Sequence, residues 1–359
     1  MKNNPVIQVQ GLTRVFRTYK KQPGFFGAVK GLFHREYELS PAVRDINFTV
    51  AEGEFVGFLG PNGAGKTTTL KMLAGLLHPT GGTATVLGYA PWDRAVEYRR
   101  QFALLLGQKN QLWWDLPARE SLELNARIYR IPRRDFERRL AELTELLDVG
   151  EKLDVMVREL SLGERMKCEL IAALLHRPKV LFLDEPTIGL DVVSQKVVRE
   201  FLRAYNATHR TTILLTSHYM SDIEALCPRV IIIDEGSLFF DGALGEVIER
   251  FADYKVVTVQ FDGRFIVPAA ELLTWGTMLE SSPGRLKLQV ARRALIPVCK
   301  ALLECCPVAD LDIEEVSAEE VIRNIFSHSD QHCGDQPSAV WSHAADTTSL
   351  GQPKLVFST

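Results

Sequence analysis

Hydrophobic positions along this chain switch between two periods, and the switches outline its elements. Residues 6–12 alternate apolar and polar side chains as a half-buried strand does, and Ile46, Phe48 and Val50 take up the same alternation later. Between them, residues 14–35 hold Arg14, Arg17, Lys20, Lys21, Lys30 and Arg35 without a single acid, interleaved with Phe16, Tyr19, Phe25, Phe26 and Phe33. That texture, loosened by Gly24, Gly27 and Gly31, predicts a basic-aromatic insertion over 17–40 between two strands. Residues 55–59 form a short continuous apolar run suited to a buried strand. Residues 66–77 predict a helix stopped by Pro79 and the Gly81-Gly82 pair, and 120–129 and 136–147 carry apolar residues at helical spacing.

After Ser161 the predicted order is helix, strand (180–183), helix, strand (212–216), helix, strand (230–234). Such alternation implies an α/β fold with a mostly parallel sheet covered on both faces. The repeating pattern ends near 242–251. Strand-like runs at 256–259, 286–290 and 309–313, with a helix through Leu302, then predict a small α+β domain over 255–326. From Ser327 onward polar residues, Gly and Pro dominate without periodicity, so 327–359 reads as a disordered tail. The larger unit is expected to span 1–245, with a helical subdomain at about 109–176.

Composition changes this picture little. The 359 residues are 46% hydrophobic and 24% charged, which suits a globular chain with a sizeable core. A net charge of -3 argues against bulk nucleic-acid binding. No run of 18 apolar residues occurs, and the N-terminus lacks the apolar centre of a signal peptide, so a cytoplasmic chain is expected. Cys168, Cys227, Cys299, Cys305, Cys306 and Cys333 show no C-x-x-C pairing and no metal-ligand spacing. They read as small buried hydrophobes, with no tightly bound structural metal.

Candidate chemistry is concentrated in three places. Gly60, Pro61, Asn62, Gly63, Ala64, Gly65, Lys66 and Thr67 match the phosphate-loop pattern G-x-x-x-x-G-K-[ST], after a buried strand and before a helix. Glycines let the loop turn its N–H groups around phosphate oxygens, and the helix adds its positive end. Lys66 would reach β- and γ-phosphates, Thr67 would ligate Mg²⁺, and Thr68 follows at the helix N-terminus. Asp184 ends the run 180–183 at the carboxyl edge of a buried strand, placed to hold Mg²⁺ through a water, with Glu185 next to it as general base. Between these lies Leu160-Ser161-Leu162-Gly163-Glu164-Arg165, where Ser161 has the chemistry of a helix N-cap.

In combination these segments resemble the nucleotide-binding subunit of an ATP-binding cassette (ABC) transporter, from Val6 to about Gly242. The resemblance implies a P-loop ABC ATPase cassette, its mostly parallel sheet accompanied by an antiparallel β subdomain and a helical subdomain. It implies that Phe16 stacks on adenine and that Gln108 touches Mg²⁺ and the attacking water. It also implies that Ser161 and Gly163 bind the γ-phosphate held by an opposite cassette. Asp191 would lie in the loop that crosses the dimer interface, and His218, after the apolar strand, would be the switch histidine at the γ-phosphate. ATP and Mg²⁺ are the implied cofactors. A second cassette in a homodimer and integral membrane permease subunits are the implied partners, with the chain peripheral on the inner face of the cell membrane. Trp113 and Trp114 would dock against the permease. The segment 314–322 is similar to the tail of type-2 exporter cassettes.

The chain departs from the family's usual LSGGQ signature, with Leu162 for the first glycine and Glu164 for the glutamine. An extra carboxylate near a triphosphate would oppose ATP-driven dimerisation by like-charge repulsion, but retention of Lys66, Asp184, Glu185 and His218 favours an active cassette. The insertion would be a solvated hairpin or a contact with anionic headgroups or an acidic partner loop. The alternative is a soluble ABC ATPase of DNA repair, chromosome organisation or translation. The long coiled coil, second cassette or zinc cysteines that such relatives carry are not visible in the sequence.

Overall fold

The computed structural model describes residues 5–19, 37–107, 109–252, 254–263 and 275–330. The chain begins with β1 (Pro5–Tyr19) and β2 (Tyr37–Ala51), an antiparallel pair registered from Pro5 opposite Ala51 to Tyr19 opposite Tyr37. Residues 17–19 and 37–40, expected to belong to an insertion, are therefore paired strand. The aromatic residues Phe16 and Tyr37 favour that extension. The rest of the expected insertion lies outside the described residues.

Next come β3 (Phe55–Leu59) and α1 (Lys66–Leu73). The helix ends a turn before the predicted stop, where Gly75 enters the left-handed region at φ 69°. Gly81 and Gly82 do not end a helix but open β4 (Gly81–Val86), which pairs with β1 to give a three-stranded sheet ordered β2-β1-β4.

The helical layer follows β5 (Phe102–Leu106) and consists of α2 (Ala118–Ile128), α3 (Arg133–Leu147) and α4 (Leu162–Leu174). Then β6 (Val180–Asp184), α5 (Val192–His209), β7 (Thr212–Thr216), α6 (Met220–Leu226) and β8 (Arg229–Asp234) alternate as predicted. β9 (Ser237–Ala243) and α7 (Leu244–Phe251) finish this unit. The central sheet is ordered β5-β6-β7-β3-β8-β9, parallel except for β9.

Burial on both faces explains the uninterrupted apolar runs. Alternate residues of each central strand feed two different cores. Val56, Phe58, Val180, Phe182, Ile231 and Ile233 pack with α1 and the antiparallel sheet. Leu181, Leu183, Val230 and Ile232 pack with the helices of the opposite face.

The smaller unit is a sheet ordered β11-β12-β10-β13, made of β10 (Tyr254–Phe261), β11 (Thr277–Ser282), β12 (Arg285–Ala291) and β13 (Val308–Glu314). Helix α8 (Leu295–Cys305) packs on one face through Val298 and Leu302, against Val257, Val259, Leu286, Leu288 and Val290. Periodicity did not reveal β11, because it is an exposed edge strand with Met278 and Leu279 adjacent rather than alternating. The last helix, α9 (Ala318–Asp330), runs beyond Ser327, where the tail was expected to begin. Its apolar face packs on the larger unit, with Ala318, Val321 and Ile322 joining the core that holds Val247 of α7, while Glu320 and Asn324 hydrogen-bond the Tyr254 hydroxyl at the start of β10. Residues 331–359 lie outside the described residues. Cys305 is exposed, unlike the buried Cys168, Cys227 and Cys306.

Candidate active site

The phosphate loop joins β3 to α1, and its shape is enforced from outside. Gly65 has φ 100°, and a Cβ there would come within 2.3 Å of the Ala42 carbonyl oxygen, so no larger residue fits. Lys66 is buried. Its Nζ donates to the carbonyls of Gly60 at 2.6 Å and Pro61 at 3.0 Å. Burial lowers the Lys66 pKa, while Glu185 and Asp184 oppose that shift by favouring the ammonium. Asn62 and Gly63 are exposed, Ala64 is buried, and Pro61, Thr67 and Thr68 are half-buried.

Strand pairing brings the next groups in. Asp184 ends β6, level with Leu106 on β5 and Thr216 on β7. Its Oδ2 accepts from Thr67 Oγ1 at 2.8 Å and its Oδ1 from Thr216 Oγ1 at 2.7 Å. A carboxylate and a hydroxyl in contact are hard oxygen donors of the kind Mg²⁺ takes, so Thr67 and Asp184 fit that ion. They line a cleft of about 130 Å³ with Lys71, Leu106, Gly107, Lys109 and Glu185. Gln108, expected here, lies outside the described residues, but its neighbours Gly107 and Lys109 border the same cleft.

Glu185 adopts φ 56°, a conformation that costs a non-glycine residue about 1–3 kcal/mol. Its amide is held by the Thr216 carbonyl at 3.0 Å. The turn aims its carboxylate at His218, whose Nε2 lies 2.7 Å from Oε1. Beneath them is a residue that sequence reasoning missed. Asp222, 1% exposed, accepts from Ser217 Oγ at 2.8 Å, from Arg199 Nη1 at 2.8 Å and from Thr187 Oγ1. These donors adjoin His218, α5 and the Glu185 turn, so one buried carboxylate ties three loops together. An acid set within the apolar stripe Met220, Ile223 and Leu226 was the available signal.

The remaining predicted residues gather separately. Ser161 caps α4 through a reciprocal capping box: its Oγ accepts from the Glu164 amide at 3.3 Å, and its amide donates to Glu164 Oε2 at 2.9 Å. Glu164 Oε1 also meets Lys152 Nζ at 3.0 Å. The Ser161 backbone amide first, then Lys152, hold the Glu164 carboxyl below the usual carboxylate range. Glu164 thus carries its charge within a helix cap, paired to Lys152.

Gly163 is buried, and a Cβ there would stand 2.6 Å from Ser194 Oγ, so close approach of α4 and α5 requires glycine. Asp191 caps α5, accepting from Ser194 Oγ at 2.6 Å and from its amide at 2.9 Å, which lowers its pKa. Val192 and Val193 beside it are 76% and 73% exposed. Among the described residues, no side-chain hydrogen bond or ion pair links Ser161, Gly163 or Asp191 to Lys66, Thr67, Asp184, Glu185 or His218. Phe16 sits half-buried on β1, with the Arg14 guanidinium 4.7 Å over its ring.

A second missed carboxylate, Glu169 on α4, is buried and accepts amides of Gln111 and Leu112. Burial pushes its pKa up, against those two amides. Trp113 and Trp114 just beyond are 47% and 44% exposed.

Comparison with known proteins decides what this geometry belongs to. Residues 43–188 match the family model described as ABC transporter. Over 217 residues the chain is 36% identical to the ABC transporter ATP-binding protein NatA of Bacillus subtilis (strain 168), covering 60% of this chain and 88% of that protein. The chain belongs to the ATP-binding subunits of ABC transporters. As such it is an ATPase, binding ATP and hydrolysing it to power transport.

Among its relatives is the Nod factor export ATP-binding protein I of Burkholderia orbicola (strain AU 1054), 41% identical over 217 residues, 60% of this chain and 71% of that one. A dimeric structure of a post-hydrolysis state of the ATP-binding cassette MJ0796 bound to ADP and Pi shares the fold. Its TM-score is 0.55 at 22% identity, over 66% of this chain and 98% of that one. Residues 253–314, which hold most of the small sheet, match the model described as EvrA-like ABC transporter, C-terminal domain. In this ABC subunit no helix of the described residues is long and apolar enough to cross a membrane.

Proposed function

We propose that this ABC subunit is an exporter ATPase in which two copies of the chain share two ATP sites. Each phosphate loop would be completed by Ser161, Gly163 and Asp191 of the other copy. The observation that carries the reading is the 2.7 Å contact between Glu185 Oε1 and His218 Nε2, one residue beyond the Asp184–Thr67 pair. In this reading the amides of residues 60–65 and the N-terminus of α1 cradle the phosphates. Lys66 turns from the Gly60 and Pro61 carbonyls to the β- and γ-phosphates, Thr68 supports the loop, and Phe16 stacks on adenine. Thr67, Asp184 and Gln108 hold Mg²⁺, which when bound neutralises charge on the phosphates.

Glu185 orients a water and accepts its proton as the water oxygen bonds to the γ-phosphorus. The bond to the ADP oxygen breaks, leaving ADP and phosphate. His218 contacts the γ-phosphate and keeps Glu185 aimed. The pattern of two separate clusters supports sharing between copies, since neither holds all the groups such a reaction needs.

ATP then closes the homodimer, and hydrolysis reopens it, moving a separate permease between its two access states. Trp113 and Trp114 offer that permease an aromatic contact, and the chain sits on the inner face of the cell membrane through it. Export is favoured by the relative named for Nod factor export.

A positioned general base is worth about 10²- to 10⁴-fold in rate. Glu185→Gln should lose turnover on that scale, measured as phosphate release, while nucleotide binding by equilibrium dialysis is retained. Turnover near that of the unaltered chain would remove Glu185 from the role.

A further inference from the structure

The geometry points to Glu169 as a positioning residue that fixes the loop carrying Trp113 and Trp114 to the signature helix α4, so that the two move as one body. Glu169 lies in the second turn of α4 and is 3% exposed, within the core formed by Leu112, Met166, Leu170 and their neighbours. No ion pair reaches its carboxylate among the described residues. What it has instead is backbone. The amide of Gln111 donates to both oxygens, at 2.9 and 3.0 Å, and the amide of Leu112 donates to Oε1 at 3.3 Å.

A buried carboxylate is costly unless hydrogen bonds replace its water, even with the Arg165 guanidinium near enough to favour its charge. The amides of Gln111 and Leu112 supply those bonds, so the loop and the helix each depend on the other's position. A methyl or methylene group would fill the same space without creating that dependence.

A second tie lies on the same stripe of the helix. Arg165, four residues earlier and therefore on the same face, places its guanidinium 5.3 Å over the Trp114 ring. The loop is also anchored at its start and its exit. Gln111 Nε2 donates to the Leu104 carbonyl of β5 at 2.8 Å, and the Trp113 amide donates to Ser121 Oγ of α2 at 3.2 Å. At the near end of α4 stands Ser161, capped by Glu164. A displacement of the half-exposed tryptophans thus has a short route to Ser161 that passes through one helix. The assignment rests on the proposed reading of Ser161 as a residue that completes a second copy's ATP site.

The test uses the full chain carrying Glu185→Gln, with Mg²⁺ and ATP added, and follows amide hydrogen exchange together with mass by light scattering. In this parent, ATP should double the mass and change the protection of residues 109–116. Adding Glu169→Ala should speed exchange at Gln111 and Leu112 about tenfold or more, the loss expected for bonds to a charged acceptor. The ATP-induced change over 109–116 should disappear, while ATP still protects the phosphate loop and still doubles the mass. Glu169→Gln, which keeps the shape and one good acceptor, should restore much of the response, a recovery that a merely space-filling role would not produce. It also serves as the informative variant should Glu169→Ala fail to fold.

An ATP response over 109–116 that is unchanged in Glu169→Ala would overturn the positioning role while leaving the shared site intact. A parent that stays monomeric with ATP bound would overturn the shared site, and the coupling with it.

Discussion

Around Asp184 the carboxylates, hydroxyls and imidazole answer one another within the chain, whereas beside Asp191 it is apolar side chains that lack cover. Asp184 takes both its hydrogen bonds from Thr67 and Thr216, and Glu185 takes His218. Across the structure Ser161 and Asp191 are equally well bonded, to Glu164 and Ser194. Yet Val192 and Val193 stand exposed next to Asp191, with Leu162 partly exposed by Ser161. In the proposed reading one cluster acts on a phosphate. The other has its polar groups locked into helix caps and its apolar groups turned outward, which is how a surface built for a protein partner differs from one built for a small ligand.

The largest expected effect attacks that difference directly. Val192→Asp with Val193→Asp places two charges where an apolar contact is proposed, and loss of a central contact of this kind costs on the order of 100-fold or more in association. Turnover should collapse while ATP affinity of the isolated chain, read by a fluorescent nucleotide analogue, stays within a few-fold. Equal loss of both would mean that the valines support the phosphate cluster and that the two regions are not separate.

A pH experiment probes how the signature helix is held at its far end. His176, just beyond α4, stacks on Tyr129 with ring centroids 3.9 Å apart, and its Nε2 lies 3.1 Å from the Phe102 carbonyl. Burial lowers its pKa from 6.5 to about 4. Between those values the unfolded chain takes up a proton that the folded chain refuses, so stability is full above pH 6.5 and falls as the pH drops toward 4. The loss reaches up to about 3 kcal/mol. Urea melts at pH 7 and pH 5 should show that slope, and His176→Phe should flatten it. An unchanged slope would assign the acid sensitivity elsewhere.

The smallest effect sharpens what Gly163 does. Gly163→Ala pushes a Cβ to 2.6 Å from Ser194 Oγ, and overpacking of this kind costs about 1–3 kcal/mol. Thermal melts of Gly163→Ala alone and with Ser194→Gly should show the loss and its relief. If the double variant regains stability but not turnover, Gly163 has a ligand role beyond its packing.

Much of the phosphate cluster was readable because its chemistry is local: a glycine-rich turn between a buried strand and a helix, and two acids at a strand end. The buried acids were not. Asp222 and Glu169 sit one to a turn among apolar residues, and a linear pattern does not say which loop's amides or hydroxyls will meet them. The part Glu164 plays in the helix cap was missed for the opposite reason. Ser161-Leu162-Gly163-Glu164 spells the S-x-x-E capping box, a signal that was present but overshadowed by the departure from the family's spelling. The return of α9 to the larger unit was equally hidden, since helical periodicity marks an apolar face without naming its partner. The edge strand β11 lacked alternation because neither of its faces is buried.

The central claim is that each ATP site is built from two copies of the chain, and mixing two inactive variants tests it most directly. Lys66→Met removes the phosphate ligand from one cluster, and Ser161→Glu places a like charge beside the triphosphate in the other. Each alone should release little phosphate. Mixed, they form dimers in which one site pairs an intact phosphate loop with an intact Ser161, so turnover should reappear. If the mixture remains as inactive as its components while both variants still fold, the site is not shared between copies and the account fails.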